Sequence, residues 1–285
     1  MRRSLSGVVM ALALCACVSP AFAQANSQPP IPDSQTATVF GSRSLGVGAS
    51  QVSDHTIEFL PRTLFRLSAE HLSSDDQRFV WEANFGGELD VVDYGIGRGT
   101  FVANYQAILG EQFRNFDPNQ GNYTLEGSSS VRVGRVEIAG VFHHVSRHLG
   151  DRPKRFPIDW NMAGARVRGT TTAGITHVDA RVDLRRVVLR TYVDYSWQLE
   201  AAVQNVHAFH PRVAAISGAT LQVLGVDGSR GRGTQTGVRG EGGVRFSGHG
   251  GAVELFVAGE RRVDPYPLEF GVGSWVTAGF RLLSR

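Results

Sequence analysis

Residues that could carry out chemistry are concentrated in one stretch near the middle of the chain. His143, His144, Ser146 and His148 lie there, and Asp151 ends the stretch. Successive side chains on a strand point to opposite faces, so His144, Ser146 and His148 would share one face. That face begins with apolar residues, so we expect it to point towards lipid. A serine two residues from a histidine lies close enough for the imidazole to accept the hydroxyl proton.

The segment His144-Val145-Ser146 resembles the His-x-Ser motif of the outer-membrane phospholipase A family and the lipid A deacylases. The resemblance covers this strand and the barrel class of those enzymes. It implies that Ser146 is a nucleophile and His144 its general base, in an enzyme that hydrolyses acyl chains of outer-leaflet lipids. We expect no cofactor, except that a phospholipase of this kind could use Ca²⁺.

Two positions depart from the motif of those families. Arg147 stands where they usually have asparagine, and Ile158 stands where their third catalytic member lies. By the resemblance, Asp151, Asp159 or Asn161 would have to take the third role. We assign that role to Asp151, beside Ser146 and His144.

Histidine and serine near a membrane rim can also bind lipid headgroups without catalysis. Arg147, Arg152, Lys154 and Arg155 follow the cluster and could pair with lipopolysaccharide phosphates. We therefore predict outer-membrane lipids and lipopolysaccharide as partners. His144 and His148 are four residues apart, which is a metal-binding spacing on a helix and not on a strand, so no metal site is predicted.

Long alternating strands must position this cluster. Between Thr176 and Val206, apolar side chains alternate with charged or polar ones in two consecutive runs. In the second run, Val193, Tyr195 and Trp197 belong to the apolar face. Strands of about 10 residues that alternate in this way are typical of a transmembrane β-barrel, with lipid outside and polar groups in the lumen.

The same pattern predicts an all-β antiparallel barrel of about 12 strands, although 10 or 14 also fit. The predicted strands are Arg62–Glu70, Phe79–Val92, Thr100–Leu109, Asn122–Val133, Arg135–His148, Asn161–Thr172, the pair within Thr176–Val206, Arg212–Leu224, Thr236–Phe246, Ala252–Arg262 and Ser274–Leu283. Longer segments follow the odd strands and short turns follow the even ones. This alternation of long and short connections is typical of outer-membrane barrels, and only the tight turn near Arg190 breaks it.

The N-terminus is typical of an exported protein. Arg2 and Arg3 precede a short apolar run, and small residues before position 24 predict a signal peptide over residues 1–23. Cys17 would instead be acylated if the signal were of the lipoprotein type. We expect residues 24–61 to form a periplasmic arm and residues 62–285 the barrel, which the barrel assembly machinery would insert in the outer membrane. Cys15 and Cys17, the two cysteines of the chain, both lie in the signal, so no disulfide is expected.

The net charge gives no support for nucleic-acid binding. It is +3 for the whole chain, and removal of Arg2 and Arg3 with the signal leaves 3 − 2 = +1. Within the barrel, both signs alternate on the inward faces. The predicted inward set is Glu82, Glu88, Asp90, Glu126, Arg132, Arg166, Arg168, Asp179, Arg181, Asp183, Arg185, Asp194, Glu200, Arg239, Glu241 and Arg245.

Two functions follow from these inward charges. They could pair across a narrow bore as an ionic core, or they could line a small polar pore. The sequence therefore predicts an integral outer-membrane barrel with a structural or narrow-pore role. An outer-leaflet lipid acyl hydrolase is the alternative.

Overall fold

The computed structural model describes residues 57–284, which form twelve antiparallel strands closed into one barrel. Each strand pairs with the next along the chain, and β1 pairs with β12 from Arg66↔Leu283 to Leu72↔Thr277, which completes the ring. The strands are β1 Glu58–Leu72, β2 Trp81–Asp93, β3 Arg98–Gly110, β4 Asp117–Val133, β5 Val136–Leu149, β6 Asp159–Ala173, β7 Thr176–Thr191, β8 Tyr195–His210, β9 Val213–Val226, β10 Gln235–Ser247, β11 Gly251–Val263 and β12 Val272–Ser284.

The predicted fold class, strand number and strand order are confirmed. The largest differences are at strand starts: β1 begins at Glu58, and β4 begins at Asp117 where Asn122 was expected. The predicted signal peptide and most of the predicted arm lie outside the described residues. Among residues 57–284, no helix is long and apolar enough to cross a membrane.

The polarity of the barrel is the reverse of that of a soluble protein. On β11, Val253, Leu255 and Val257 are exposed on the outer face, whereas Glu254 and Glu260 are buried in the lumen. Closing the ring also pairs β1 with β12, so the sheet formed by residues 57–284 has no open edge strand. These two properties together are those of a β-barrel that spans a bilayer.

The connections divide the barrel into two unlike ends, as predicted. The connections 73–80, 111–116, 150–158, 227–234 and 264–271 follow odd strands at one end, which we call the mouth. Turns of two to four residues follow the even strands at the other end, at 94–97, 134–135, 174–175, 211–212 and 248–250. Gly134 and Gly174 adopt φ of 61° and 60°, as glycine does readily in such two-residue turns. The connection 192–194 after β7 is the short exception at the mouth.

One predicted face is wrong at the start of β8. Tyr195 was expected to face lipid with Trp197, but Tyr195 is buried in the lumen while Trp197 is exposed. Tyr195 pairs with Val226 and Trp197 with Gly225, so Ser196 is an extra residue on β8. Such a β-bulge reverses the alternation of side chains before it, and this places the Tyr195 ring inside the mouth.

The lipid-facing assignment of β11 can be tested with a charge. Val257 lies at the middle of β11 and is 56% exposed on the outer face. Val257→Arg should reduce the free energy of unfolding by about 2–4 kcal/mol, the cost of a cation on the lipid face at the bilayer midplane. Val272→Arg, at the exposed start of β12 beside the mouth, should cost only about 0–1 kcal/mol. Denaturant unfolding in phospholipid vesicles measures both, and equal losses would contradict the assignment.

Candidate functional site

Ion pairs that skip strands cross one side of the lumen. Glu126 on β4 accepts from Arg166 on β6 at 2.7 Å and contacts Nδ1 of His143 at 2.9 Å. Arg166 also donates to Asp183 on β7 at 2.7 Å, and Arg185 lies 2.6 Å from the same carboxylate. Because these partners sit on different strands, they tie β4, β6 and β7 together from the inside.

A second network crosses the other side of the lumen. Arg239 on β10 donates to Glu260 on β11 at 3.0 Å and to Glu70 on β1 at 2.9 Å. Arg262 on β11 pairs with Glu82 on β2 at 2.7 Å, and in the ring β12 and β1 lie between those strands. A buried charge is costly unless it is paired, so these contacts stabilise the charged wall of the lumen.

The predicted inward charges are confirmed: all are buried or half-buried, and most take part in ion pairs. Sequence reasoning missed several others. These are Arg62, Arg66, Glu70, Arg98, Glu137, Arg147, Glu254, Glu260, Arg262 and Arg281. Most of them lie on β1, β11 and β12. On these strands the charged residues alternate with apolar residues that face outward, so the same pattern would have identified them.

A loop folds across the mouth from β11 to the opposite wall. We call residues 264–271, between β11 and β12, the crossing loop. Arg147 on β5 donates to the backbone oxygens of Asp264 at 2.6 Å and Pro265 at 2.7 Å, and Gln120 on β4 donates to Pro265 O at 3.1 Å. Strands β5 and β11 are six places apart in a ring of twelve, so the contact spans the full width of the barrel.

Asp264 is the anchor of the crossing loop. It has φ of 47°, and its carboxylate accepts from the Tyr195 hydroxyl at 2.6 Å and from Arg232 at 2.7 Å and 2.8 Å. Arg232 also donates to Asp194 at 2.8 Å. Hydrogen bonds to Asp194 and then to Asp264 hold the pKa of Arg232 above its ordinary value, although partial burial opposes this. The loops that follow β7, β9 and β11 are thereby fastened to one another.

Apolar side chains fill the space beside these contacts. A buried apolar cluster lies at the mouth, where several strands end and their connections begin. Its members are Ile158, Trp160, Met162, Val193, Tyr195, Leu224 and Val263. The side chains of Tyr192 and Leu268 pack against it, and the Tyr192 hydroxyl donates to Leu268 O at 3.1 Å. The crossing loop therefore has an apolar base as well as polar anchors.

The predicted catalytic residues lie on the outer face of β5, but their contacts differ from those expected. His143 is buried in the lumen, so its neighbour His144 points outward, as do Ser146 and His148. Ser146 Oγ lies 2.9 Å from Nε2 of His148, whereas Nδ1 of His144 lies 2.9 Å from Asn161 Oδ1.

Asp151 stands apart from the serine–histidine pair. Its carboxylate accepts from Arg114 at 2.9 Å, in an exposed pair between the loops that follow β3 and β5. The structure thus brings Ser146 together with His148 and gives Asp151 another partner. Within residues 57–284, no three or more histidine, cysteine, aspartate or glutamate side chains are grouped to hold a metal ion.

Arg147, one of the residues expected to bind lipopolysaccharide, points into the lumen. The prediction is wrong for Arg147, because odd positions of β5 face the lumen and its guanidinium binds the crossing loop. Arg152 donates to Asp117 at 2.7 Å, and Lys154 donates to Arg147 O at 2.7 Å. Burial lowers the pKa of Lys154. Arg155 is exposed, and contact with lipopolysaccharide stays a prediction.

A closed antiparallel ring, a lipid-facing apolar exterior and a paired ionic interior define the class of this protein. It is an integral outer-membrane β-barrel protein.

No protein-family model matches the sequence, and no curated protein matches it. Similar solved structures include the KdgM porin in complex with disordered oligogalacturonate, which is 7% identical with a TM-score of 0.44 over 77% of this chain and 98% of that chain. Outer-membrane expressed OmpT of Vibrio cholerae is 10% identical with a TM-score of 0.41, over 81% and 98% of the two chains. Omp33 of Acinetobacter baumannii is 10% identical with a TM-score of 0.40, over 79% and 97%.

The lumen networks predict a contrast between buried and exposed pairs. Glu254, which is 0% exposed, accepts from Arg245 and Arg281, each at 2.7 Å. Glu254→Gln should lower the free energy of unfolding by about 3–5 kcal/mol, because it leaves buried guanidinium charge uncompensated. Asp151→Asn breaks the exposed pair with Arg114 and should cost about 0–1 kcal/mol. Denaturant titration of both proteins in one lipid checks this, and a small loss for Glu254→Gln would contradict a structural role for the network.

Proposed function

We propose that this protein forms a narrow polar passage through the outer membrane, and that the crossing loop closes its mouth in the state described above. The observation that carries the proposal is the bond from Arg147 on β5 to the backbone of Asp264 and Pro265 on the opposite side. A loop that only connected β11 to β12 would have no need to reach β5.

The wall of the barrel supports the same function. Arginine and carboxylate side chains from neighbouring strands pair along the lumen, so the wall is polar and close to neutral. A cavity of about 30 Å³ lies towards the turn end, lined by residues that include Glu88, Arg98 and Thr100. Space of that size holds only a few water molecules at most. The passage is therefore suited to small polar solutes.

Export and insertion into the outer membrane are part of this proposal. We propose that residues 1–23 act as the signal peptide, that residues 24–61 belong to the periplasmic side, and that the barrel assembly machinery inserts the strands. The support is that β1 starts and β12 ends at the turn end, the side on which outer-membrane barrels keep their short periplasmic turns.

Releasing the crossing loop should increase conductance. Arg147→Leu removes three hydrogen bonds, to Asp264 O, Pro265 O and Gln120 Oε1, so the loop loses its hold on β5. In planar bilayers we expect low conductance for the wild type and a severalfold higher open probability for Arg147→Leu. Heat-dependent gel mobility must show that both proteins are folded.

Arg114→Leu is the matched control for this measurement. Arg114 is also an arginine at the mouth, but its partners Asp117 and Asp151 belong to other connections and strands. We expect wild-type conductance for this variant. If neither the wild type nor Arg147→Leu conducts while both are folded, the passage is refuted and the barrel has a structural role.

A second candidate function is hydrolysis of outer-leaflet lipids. The observation that favours it is the outward-facing contact of 2.9 Å between Ser146 Oγ and His148 Nε2. In this proposal His148 replaces His144 as the general base, because His144 is bonded to Asn161. The serine hydroxyl would attack the carbonyl carbon of an acyl ester at the level of the headgroups as its proton passes to the imidazole. The ester C–O bond would then break, the alcohol would leave with that proton, and water would release the fatty acid from the serine.

Fatty-acid release distinguishes the two candidates. If the passage is the function, folded wild-type protein with phospholipid or lipopolysaccharide, with and without Ca²⁺, should release no fatty acid above the background of Ser146→Ala. Release that is lost in both Ser146→Ala and His148→Ala, but kept in His144→Ala, would instead establish a hydrolase with the Ser146–His148 pair.

A further inference from the structure

One cavity of the lumen presents more cations than carboxylates on its surface. It is the cavity of about 30 Å³ towards the turn end, and we call it the arginine cavity. Its charged lining residues are Arg98, Arg166, Arg168, Arg181, Glu88 and Glu137. The surface of this cavity therefore carries four guanidinium groups and two carboxylates, although each of the arginines has an ion-pair partner.

Both carboxylates of this surface are neutralised at close range. Glu137 accepts from Nε and Nη2 of Arg98 at 2.9 Å each, and Glu88 is paired with Arg62. A carboxylate and an arginine in direct contact form a unit with little net charge. Neither carboxylate therefore balances the three arginines that remain on the cavity surface, Arg166, Arg168 and Arg181.

The carboxylates that pair with these three arginines lie behind them. They are Glu126, Asp179, Asp183 and Glu200, and none of them lines the cavity. Their side chains are at most 6% exposed, whereas Arg166 is 15% exposed and Arg168 is 9% exposed. Arg181 is 4% exposed against 0% for both of its partners. An ion in the cavity is nearer to the guanidinium groups than to these carboxylates, and because Coulomb energy falls with distance, it meets a positive potential.

The strand register gives an independent reason for an anion in this cavity. Arg168 on β6 and Arg181 on β7 are directly opposite each other, and both line the cavity. Like charges at directly opposite positions of a sheet repel and destabilise it. An anion that contacts both guanidinium groups would reduce this repulsion.

The size of the cavity restricts the anion to a small one. A volume of 30 Å³ holds about two or three water molecules. A monatomic anion is little larger than one water molecule, whereas an organic acid would not fit as a whole. Guanidinium groups are weakly hydrated cations with several N–H donors, which suits them to contact an anion at close range. The hydroxyls of Thr100 and Ser128 in the lining are further donors.

We propose that the arginine cavity is a binding site for a halide ion such as chloride, and that the passage prefers anions to cations for this reason. The preference rests on the proposed passage, because it names the class of ion that the passage conducts. Binding in the cavity can be tested without any conductance.

Binding can be measured by the broadening of the chloride NMR line, with the full-length barrel in detergent as wild type and as Arg147→Leu. The test variant combines Arg168→Gln with Asp179→Asn. It removes one guanidinium together with its carboxylate, so the net charge of the lumen is unchanged and neither partner is left as a buried, unpaired charge. We expect the affinity for chloride to fall about tenfold, the change expected for one lost hydrogen bond to a charged group.

Arg186→Gln is the matched control. Arg186 is also an arginine of β7, but it is exposed on the outer face, where it pairs in register with Trp197. Its removal changes the net charge of the protein and leaves the cavity intact, so we expect chloride to bind as in the wild type. Heat-dependent gel mobility shows whether each variant is folded.

A measurement on the wild type decides the question if the double variant fails to fold. Crystals of the wild-type barrel soaked in bromide should show an anomalous scattering peak in the arginine cavity, within hydrogen-bond distance of Arg168 or Arg181. Absence of a peak there would refute the site.

Ion preference is read from the reversal potential in planar bilayers with a gradient of KCl, using Arg147→Leu so that the mouth is open. We expect chloride to be more permeant than potassium. Adding Arg168→Gln and Asp179→Asn should lower the permeability ratio of chloride to potassium severalfold, although the net charge is the same. Equal or higher permeability to potassium in Arg147→Leu would overturn the preference for anions.

The halide site and the passage fail through different results. Chloride broadening that is the same in the wild type and the double variant refutes the site, whether or not the barrel conducts. Absence of conductance in folded Arg147→Leu refutes the passage and the ion preference, while broadening that is lost in the double variant keeps the site.

Discussion

Charge pairing inside a narrow lumen is the constraint on which the rest of this structure depends. Lipid requires an apolar exterior, and alternation along each strand then turns every second side chain into the bore. Many of those side chains are arginine or carboxylate, and an unpaired charge buried there would destabilise the folded barrel. Contacts that skip strands, such as Arg239 with Glu70, therefore do two things: they neutralise the interior and they fix which strands face each other.

The mouth is organised by a different kind of interaction. Arg147 binds backbone oxygens of the crossing loop, and Asp264 collects bonds from Tyr195 and Arg232. Each of these side chains starts from a rigid strand end or from a loop that is itself fastened. The position of the crossing loop over the mouth is a consequence of that fastening.

Sequence alternation was sufficient for the barrel and insufficient for the mouth. Strand number, loop alternation and the inward charges of β7 follow from local periodicity, which a single chain displays. The face of Tyr195 could not be predicted, because one extra residue, Ser196, reverses the alternation and the extra residue is visible only from its pairing with β9. The path of the crossing loop depends on backbone oxygens, which carry no sequence signal.

The outer cluster shows a second limit of sequence reasoning. His144 and His148 each lie two residues from Ser146 on the same face, so spacing alone cannot decide which histidine contacts the serine hydroxyl. The choice is made by a residue of the next strand, Asn161, which bonds His144 and leaves His148 to Ser146. A pairing that depends on a neighbouring strand is decided by register, and register appears only in three dimensions.

The base of the crossing loop is tied to itself. Asp264 N donates to Gly271 O at 2.7 Å, and Gly271 N donates to the Asp264 carboxylate at 2.9 Å. A connection closed at its base can be lengthened, shortened or exchanged between those two residues without altering the pairing of β11 with β12. Evolution can therefore vary what covers this mouth as a separate module, while the barrel that carries it stays the same.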